Sequence, residues 1–315
     1  MSSRELLVLG TASQVPTRHR NHNGYFLRWD EHGFLFDPGE GTQRQMVHFG
    51  LNAAAITRIL VTHFHGDHCL GLAGIVQRIS LDRVPHTVDV HYPASGQVYF
   101  ERLRGASIFF DQSHLAPHGI EDSGEIARND AFTITARRLD HGVDCFGYRI
   151  QEPDRWNVST ARLEELGLRG PLVGQLKREG RIEHGGRVIR LEEVATLRRG
   201  QSVAFVMDTR ACPAAIELAR DVDLFVCEAT FLHSEIQEAQ EYGHMTARQA
   251  AEIAREAGAL KLVLTHFSQR YESSEPFLAE ARAIHGDVVA AEDGLVVPLR
   301  TRRELRAEAA ELEAP

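Results

Sequence analysis

Two hydrophobic periods alternate along the chain, short apolar runs of strand character and longer segments with helical spacing, each closed by glycine, proline or a polar cluster. Leu6 to Gly10 predicts a first strand that opens into a polar loop, Thr11 to Asn23. Gly24 to Trp29 and Gly33 to Asp37 predict a hairpin, and Asp37-Pro38-Gly39-Glu40-Gly41 turns into a predicted helix over 42–48. The run Ile56 to Val61 reads as a buried strand. Helical spacing follows over Leu70 to Ser80, then a strand over His86 to Tyr92 and a helix over Ser95 to Phe109. Ala131 to Ile150 predicts two strands with Asp140-His141-Gly142 at the turn between them.

The second half repeats the same grammar without a sequence repeat. Strands are predicted over Ser202 to Met207, Asp223 to Cys227 and Lys261 to Leu264, with helices over Pro213 to Arg220 and Glu275 to Ile284. Helical patterning from His233 to Ala257 is interrupted near Gly243-His244, and Asp287 to Leu299 closes with β pattern. The tail after Arg300 is charged, alanine-rich and predicted as a helix. Interleaved strands and helices predict the α/β class, with a layered α/β/β/α arrangement. Between 153 and 200 the periodicity loosens. A long, weakly patterned insertion in a compact domain is usually functional or disordered, so this window reads as a protruding, flexible arm. The predicted organisation is one domain over 1–300, the arm inserted at 153–200, and a tail at 301–315.

Composition changes the picture in a few respects. The 315 residues hold 43 % hydrophobic and 25 % charged side chains, enough apolar content for a large core. No apolar run approaches the length of a membrane span, and the first residues lack a signal-peptide pattern, so no membrane partner is expected. Cys69, Cys145, Cys212 and Cys227 are scattered without CxxC spacing, the pattern of reduced thiols in a cytoplasmic protein. A net charge of −9 argues against a uniformly basic nucleic-acid binder. The insertion departs from that average: ten Arg/Lys against seven Asp/Glu give it a net of +3.

Candidate chemistry concentrates in His63-Phe64-His65-Gly66-Asp67-His68, directly after the predicted strand Ile56 to Val61. In an extended segment His63 and His65 leave on one face. Gly66 permits a sharp turn, and Asp67 and His68 swing back to a second position. Imidazole with carboxylate suits zinc, or manganese where oxygen dominates. One metal needs about four ligands, and a two-metal site about seven with one bridging carboxylate. His141, Asp208 and His266, each at a predicted strand end, supply further candidates.

The six-residue stretch resembles the HxHxDH signature of the metallo-β-lactamase superfamily, and His141, Asp208 and His266 match that superfamily's later metal motifs in order and type. Within it the chain resembles ribonuclease Z, the endonuclease that trims the 3′ trailer from precursor tRNA. Pro16-Thr17-Arg18-His19-Arg20-Asn21 is similar to the family's PxKxRN loop, and Gly170-Pro171 to its glycine–proline exosite arm. Glu228-Ala229-Thr230 and His244-Met245-Thr246 are similar to its HEAT and HST motifs. Cys227 stands where HEAT begins with histidine, Met245 in place of the HST serine, Arg18 in place of the loop lysine, and Met207 where glycine is frequent. The resemblance spans Leu6 to Pro298.

It implies a four-layer αββα metallo-β-lactamase sandwich carrying two Zn²⁺ per subunit, with Mn²⁺ as the other candidate. His63, His65 and His141 would hold one ion, Asp67, His68 and His266 the other, and Asp208 would bridge. Asp67 would orient and deprotonate water, while His244, held by Glu228, would assist the departing 3′ oxygen. Ser268 and Arg270 are expected phosphate contacts. Pro16, Arg18, Arg20, Asn21, Gly170 and Pro171 are expected to meet tRNA. The family's homodimeric habit implies that one subunit's arm presents tRNA to the other's site. Two alternatives remain open from the sequence. One is a small-substrate hydrolase or other phosphodiesterase on the same fold; the other is an RNA-binding protein that has lost catalysis.

Overall fold

The structure, a computed structural model, describes residues 4–300; the predicted C-terminal helix lies outside them. Two seven-stranded mixed sheets form the frame. In the first, Arg4–Gly10 pairs antiparallel with Val296–Pro298 and with Gly24–Trp29, which turns back into His32–Phe36. The sheet then runs parallel through Arg58–Leu60, Val88–Pro93 and Leu115–Ile120. In the second, Ser202–Val206, Leu224–Glu228, Lys261–Thr265 and Val288–Ala290 are parallel neighbours. Phe146–Gln151, Thr133–Arg138 and Gly124–Arg128 extend its other side antiparallel.

Period-two alternation sends every second residue to a different core. Tyr25, Leu27 and Trp29 face the layer between the sheets, whereas Phe26 of the same strand faces outward helices. Val203 and Phe205 join that inner layer, and Ala204 and Val206 pack on the opposite side. The sheets meet through aromatic rings: Phe36 stacks on Phe205 at 4.4 Å, and Tyr25 meets Phe205 edge-on at 5.1 Å. Helices Thr42–His48, Leu72–Leu81 and Gln97–Arg104 cover the first sheet. Helices Pro213–Ala219, Ala247–Ala257 and Glu275–Arg282 cover the second. The result is the four-layer αββα sandwich. Ala250, Ala251, Ala254 and Ala257 let the central helix lie close on its sheet, and Thr246 caps it by accepting from Gln249 N at 3.3 Å.

Some boundaries differ from the periodic pattern. The helix expected over Ser95 to Phe109 runs only over Gln97–Arg104, stopped at Gly105. Leu115–Ile120 and Gly124–Arg128 are edge strands with several exposed positions and, in the first, Pro117, so neither alternates clearly enough to be read. Asp287 to Leu299 divides into Val288–Ala290 and Val296–Pro298, which enter opposite sheets.

The insertion carries regular structure where its periodicity had suggested a loose arm. Arg155–Val158 pairs with Ala195–Arg198 and Arg181–His184 with Arg187–Arg190, around helices Thr160–Glu165, Pro171–Glu179 and Leu191–Val194. Leu168, Leu176, Ile182, Ile189, Leu191 and Val194 form its own small core. Elements of four to nine residues are too short to establish a period, so none is legible in this window. The described cysteines are all free, and among the described residues no helix is long and apolar enough to cross a membrane.

Candidate metal centre

Parallel strands release their chemistry at their carboxyl ends, where an open α/β sheet forms its crevice. Asp37 follows His32–Phe36, Asp208 follows Ser202–Val206, Glu228 ends Leu224–Glu228, and His266 follows Lys261–Thr265. Asp37, Asp208 and His266 hold positive φ values of 42°, 37° and 62°. Such a backbone is strained for a residue with a Cβ and persists only where its surroundings over-determine it. His63 and His65 leave extended chain after Arg58–Leu60, and the helical turn Gly66–Cys69 then lifts Asp67 and His68. His141 comes from the loop between Thr133–Arg138 and Phe146–Gln151. His244 comes from the break between helices Ile236–Tyr242 and Ala247–Ala257.

These side chains converge on two adjoining groups, His63 with His65, His141 and Asp208, and Asp67 with His68 and His266. Asp208 faces both. Its Oδ2 lies 3.6 Å from His63 Nε2 and 3.8 Å from His141 Nε2, while its Oδ1 lies 3.2 Å from His68 Nε2 and 3.1 Å from His266 Nε2. Asp67 Oδ2 stands 3.4 Å from the same two nitrogens of His68 and His266. Coordination bonds of about 2.0–2.2 Å at tetrahedral angles set ligand atoms roughly 3.3–3.6 Å apart. The cluster's separations of 3.1–3.8 Å bracket that spacing, and two of its atoms, His63 Nε2 and Asp208 Oδ1, are buried without a hydrogen-bond partner. The donor set and spacing fit divalent cations.

Outer hydrogen bonds fix which nitrogen each imidazole presents. Thr62 Oγ1 donates to Asp37 Oδ2 at 2.8 Å, so it accepts from His63 Nδ1 at 3.0 Å. His68 Nδ1 donates to Asp37 Oδ2 at 2.9 Å. Thr230 Oγ1 donates to Glu228 Oε2 at 2.6 Å and accepts from His266 Nδ1 at 2.7 Å. His141 Nδ1 donates to the Gly243 carbonyl at 2.9 Å. All four rings therefore present Nε2. His65 is the exception: its Nδ1 lies 3.3 Å from His141 Nε2. His244 shares a further candidate group with Asp208 and His266, but its Nδ1 donates to Glu228 Oε1 at 3.2 Å and stands 4.0 Å from Asp208. That proton keeps Nδ1 from ligating.

The electrostatics are those of a buried carboxylate–imidazole cluster. Burial lowers the His63 imidazolium well below its usual range, helped by charge on His68. Burial works the same way on His68, but Asp208, Asp67 and Asp37 outweigh it and raise that group well above the ordinary histidine range. Burial raises the Asp67 carboxyl, yet charge on His68 and hydrogen bonds from His266 and His68 hold it below the carboxylate range. A proton on His68 supplies the positive charge the three carboxylates demand, and a cation entering the site must displace it.

The expected substrate residues are spread. Ser268 and Arg270 line the same cleft of about 610 Å³ as Asp67, Asp208 and His244; Arg270 also pairs with Glu235 at 3.0 Å. In the Thr11 to Asn23 loop, Pro16 and Arg18 are exposed. Arg20 donates to the Tyr271 carbonyl at 2.9 Å and Asn21 to the Glu40 carbonyl at 2.9 Å, so both spend polar atoms on the loop's own shape. Gly170 and Pro171 are exposed at the start of an insertion helix. Two supporting residues, Asp37 and Asp293, had no role in the sequence pattern, and Thr230 stood there only as part of the Glu228-Ala229-Thr230 motif. Asp37 orients His68 and Thr230 orients His266. Asp293 accepts from Asn21 N at 2.7 Å and Thr11 Oγ1 at 2.9 Å, anchoring a loop whose Gln14 N donates to Asp67 Oδ2 at 2.8 Å. Burial pushes the Asp293 carboxyl up to about 6. The turn at Asp37-Pro38-Gly39 was the only signal for Asp37; Asp293, a turn residue between Val288–Ala290 and Val296–Pro298, had none.

The Asp37 contact yields a test. Asp37→Asn removes the charge that polarises His68 while keeping the side chain's shape, so metal affinity should fall about 10–100-fold. Competition against a chromogenic chelator measures it, and unchanged affinity would remove Asp37 from the site.

Comparison with known proteins places this arrangement. Residues 17–266 match the model of the metallo-beta-lactamase superfamily. Ribonuclease Z of Nocardia farcinica is 57 % identical over 305 residues, covering 96 % of this chain and 100 % of that protein. Ribonuclease Z of Streptomyces coelicolor is 54 % identical with the same coverage. Among solved structures, human tRNase Z, short form, superposes with a TM-score of 0.70 at 25 % identity, covering 94 % of this chain and all of that one. With relatives of that identity along nearly its whole length, the chain belongs to the ribonuclease Z family of the metallo-beta-lactamase superfamily.

Proposed function

We infer that this chain is a metal-dependent endoribonuclease that removes the 3′ trailer from precursor tRNA, with two zinc ions per subunit and manganese as the alternative metal. The observation that carries this reading is the Asp208 carboxylate, which turns one oxygen toward His63 and His141 and the other toward His68 and His266. In this reading His63, His65 and His141 hold one ion, Asp67, His68 and His266 the other, and Asp208 serves both. Such a pair, when bound, acidifies water and neutralises charge on the scissile phosphate.

The chain's own groups do the rest. Asp67, steadied by Gln14 N at 2.8 Å, orients the attacking water and accepts its proton. Glu228, fully buried, accepts a hydrogen bond from His244 Nδ1–H and fixes its tautomer, leaving Nε2 for the departing 3′ oxygen. Burial depresses the His244 imidazolium, but Glu228 and Asp208 outweigh it and raise the group to about 9. Thr209 N at 2.6 Å and Met245 N at 3.2 Å hold the Glu228 carboxylate in place. The products are a tRNA with a 3′ hydroxyl and a trailer with a 5′ phosphate.

Specificity comes from outside the cluster. Ser268 and Arg270 contact phosphates flanking the cut, and Pro16 and Arg18 meet the tRNA end on a loop shaped by Arg20 and Asn21. The insertion, with Gly170 and Pro171 exposed, grips the folded tRNA body through shape and backbone charge. In a homodimer one subunit's insertion serves the partner's site. The cytoplasm, where precursor tRNA is processed, is the proposed location.

The direct test is incubation of purified protein with a precursor tRNA, with and without chelator, mapping the cut. A single chelator-sensitive cleavage at the tRNA–trailer junction is expected; cutting elsewhere or none would refute the assignment. The His244–Glu228 pair predicts more. His244→Ala should lower turnover by about 10²–10⁴-fold at unchanged metal content. Glu228→Gln should act the same way, and the double variant should be little worse than His244→Ala; multiplicative losses would mean the two work independently. The insertion is separable by design of its base. Arg155 and Arg198 are strand partners, and Gly200 N donates to Asp154 Oδ1 at 2.8 Å. Deleting 155–198 should abolish precursor-tRNA cleavage and spare hydrolysis of a small chromogenic phosphodiester. Loss of both in a folded, metal-loaded protein would put the insertion inside the active site.

A further inference from the structure

We propose that Tyr242 and Phe231 form a stacking subsite for an unpaired RNA base, the base of the nucleotide whose 3′ oxygen departs. This rests on the reading of His244 given above. Both rings line the cleft beside the metal cluster. Phe231 is 4 % exposed and Tyr242, at the end of helix Ile236–Tyr242, is 57 % exposed. The rings lie within 20° of parallel with centroids 6.4 Å apart, so the aromatic wall continues from the interior to the cleft rim. The Arg270 guanidinium sits 4.9 Å from the Phe231 ring centre, and the His244 ring centre 6.1 Å from it.

The backbone beneath Tyr242 is tied to the cluster itself. Arg210, two residues beyond Asp208, donates Nε to the Gln240 carbonyl at 2.8 Å. Gly243, directly after Tyr242, accepts from His141 Nδ1 at 2.9 Å. Gly243 holds φ 77°, and a Cβ there would come within 2.9 Å of His141 Nδ1, so only glycine lets this segment approach so closely. Tyr242 is thereby a large ring on a backbone tied to the metal cluster, beside the cleft yet left open to solvent. An aromatic face presented beside a phosphate-binding cleft suits a nucleobase, and stacking tolerates any base because each has a π face. An enzyme acting on many tRNAs needs that tolerance. The side is set by His244: a proton given to the 3′ oxygen brings the nucleoside bearing that oxygen against the Phe231–Tyr242 wall rather than the trailer's first nucleotide.

The test crosses protein variants with abasic substrates. Metal-loaded wild type, Tyr242→Phe, Tyr242→Leu and Tyr242→Ala are assayed on precursor tRNA that is intact, abasic at the last tRNA nucleotide, or abasic at the first trailer nucleotide. With base stacking worth about 1–3 kcal/mol, Tyr242→Ala and Tyr242→Leu should each lose roughly 5- to 150-fold in kcat/KM on intact substrate, while Tyr242→Phe stays near wild type. Removing the last tRNA base should cost the wild type a similar factor and those two variants little more. Removing the first trailer base should cost all four proteins alike. If Tyr242→Ala loses as much on the abasic substrate as on the intact one, or the coupling follows the trailer base, the subsite is refuted while the endonuclease stands. A wild-type enzyme that leaves precursor tRNA uncut overturns both.

Discussion

The Asp208 carboxylate is the point on which the architecture turns. It is buried, it sits on a strained left-handed backbone, and its two oxygens address two separate pairs of imidazoles. A carboxylate in that position is tolerable only with positive charge around it. The cluster meets this by concentrating histidines, and burial leaves His63 poor at carrying a proton while His68 is driven to carry one. The same charge imbalance that makes the site costly without metal makes it selective for cations when they arrive. The two sheets are what hold the groups together, because Asp37, His63 and His68 belong to one and Asp208, Glu228 and His266 to the other.

The aromatic layer between the sheets sets the register of that meeting. Phe36 stacked on Phe205 lies one residue before Asp37 and three before Asp208, so packing of the inner layer directly positions both aspartates. Three of the four residues that depart from the family motifs fall where packing absorbs them, while Arg18 is exposed. Cys227 and Met245 are buried in the helix-side core of the second sheet, and Met207 in the inner layer. The position that matters chemically at 245 is the backbone N–H, which still donates to Glu228 at 3.2 Å. A thioether in place of a hydroxyl leaves that bond untouched.

The insertion shows a different balance. Its core of six buried apolar residues serves itself, and its strands pair with one another. Such a unit can evolve its surface without disturbing the ligand geometry, because it is bounded by Glu152 and Gly200 at the ends of the paired strands Phe146–Gln151 and Ser202–Val206; Glu152 there accepts from Arg4 at 2.7 Å.

The sequence by itself determined the strands whose alternation or apolar run is strong, and it marked four candidate ligands, because His63 to His68 packs four ligand-type side chains and a glycine into six residues. It also marked the break at Gly243-His244, since a glycine interrupts helical spacing there. Tertiary structure decided what local pattern could not carry. Which nitrogen each histidine presents depends on Asp37, Thr62, Thr230 and the Gly243 carbonyl, partners up to 102 residues away. Whether Arg20 and Asn21 face a substrate or the chain depends on Tyr271 and Glu40 meeting them in space. The short elements of the insertion, and the edge strands Leu115–Ile120 and Gly124–Arg128, have too little burial to impose a period on their sequences. Their structure is fixed by the strands beside them, and a single chain read in order does not contain its neighbours.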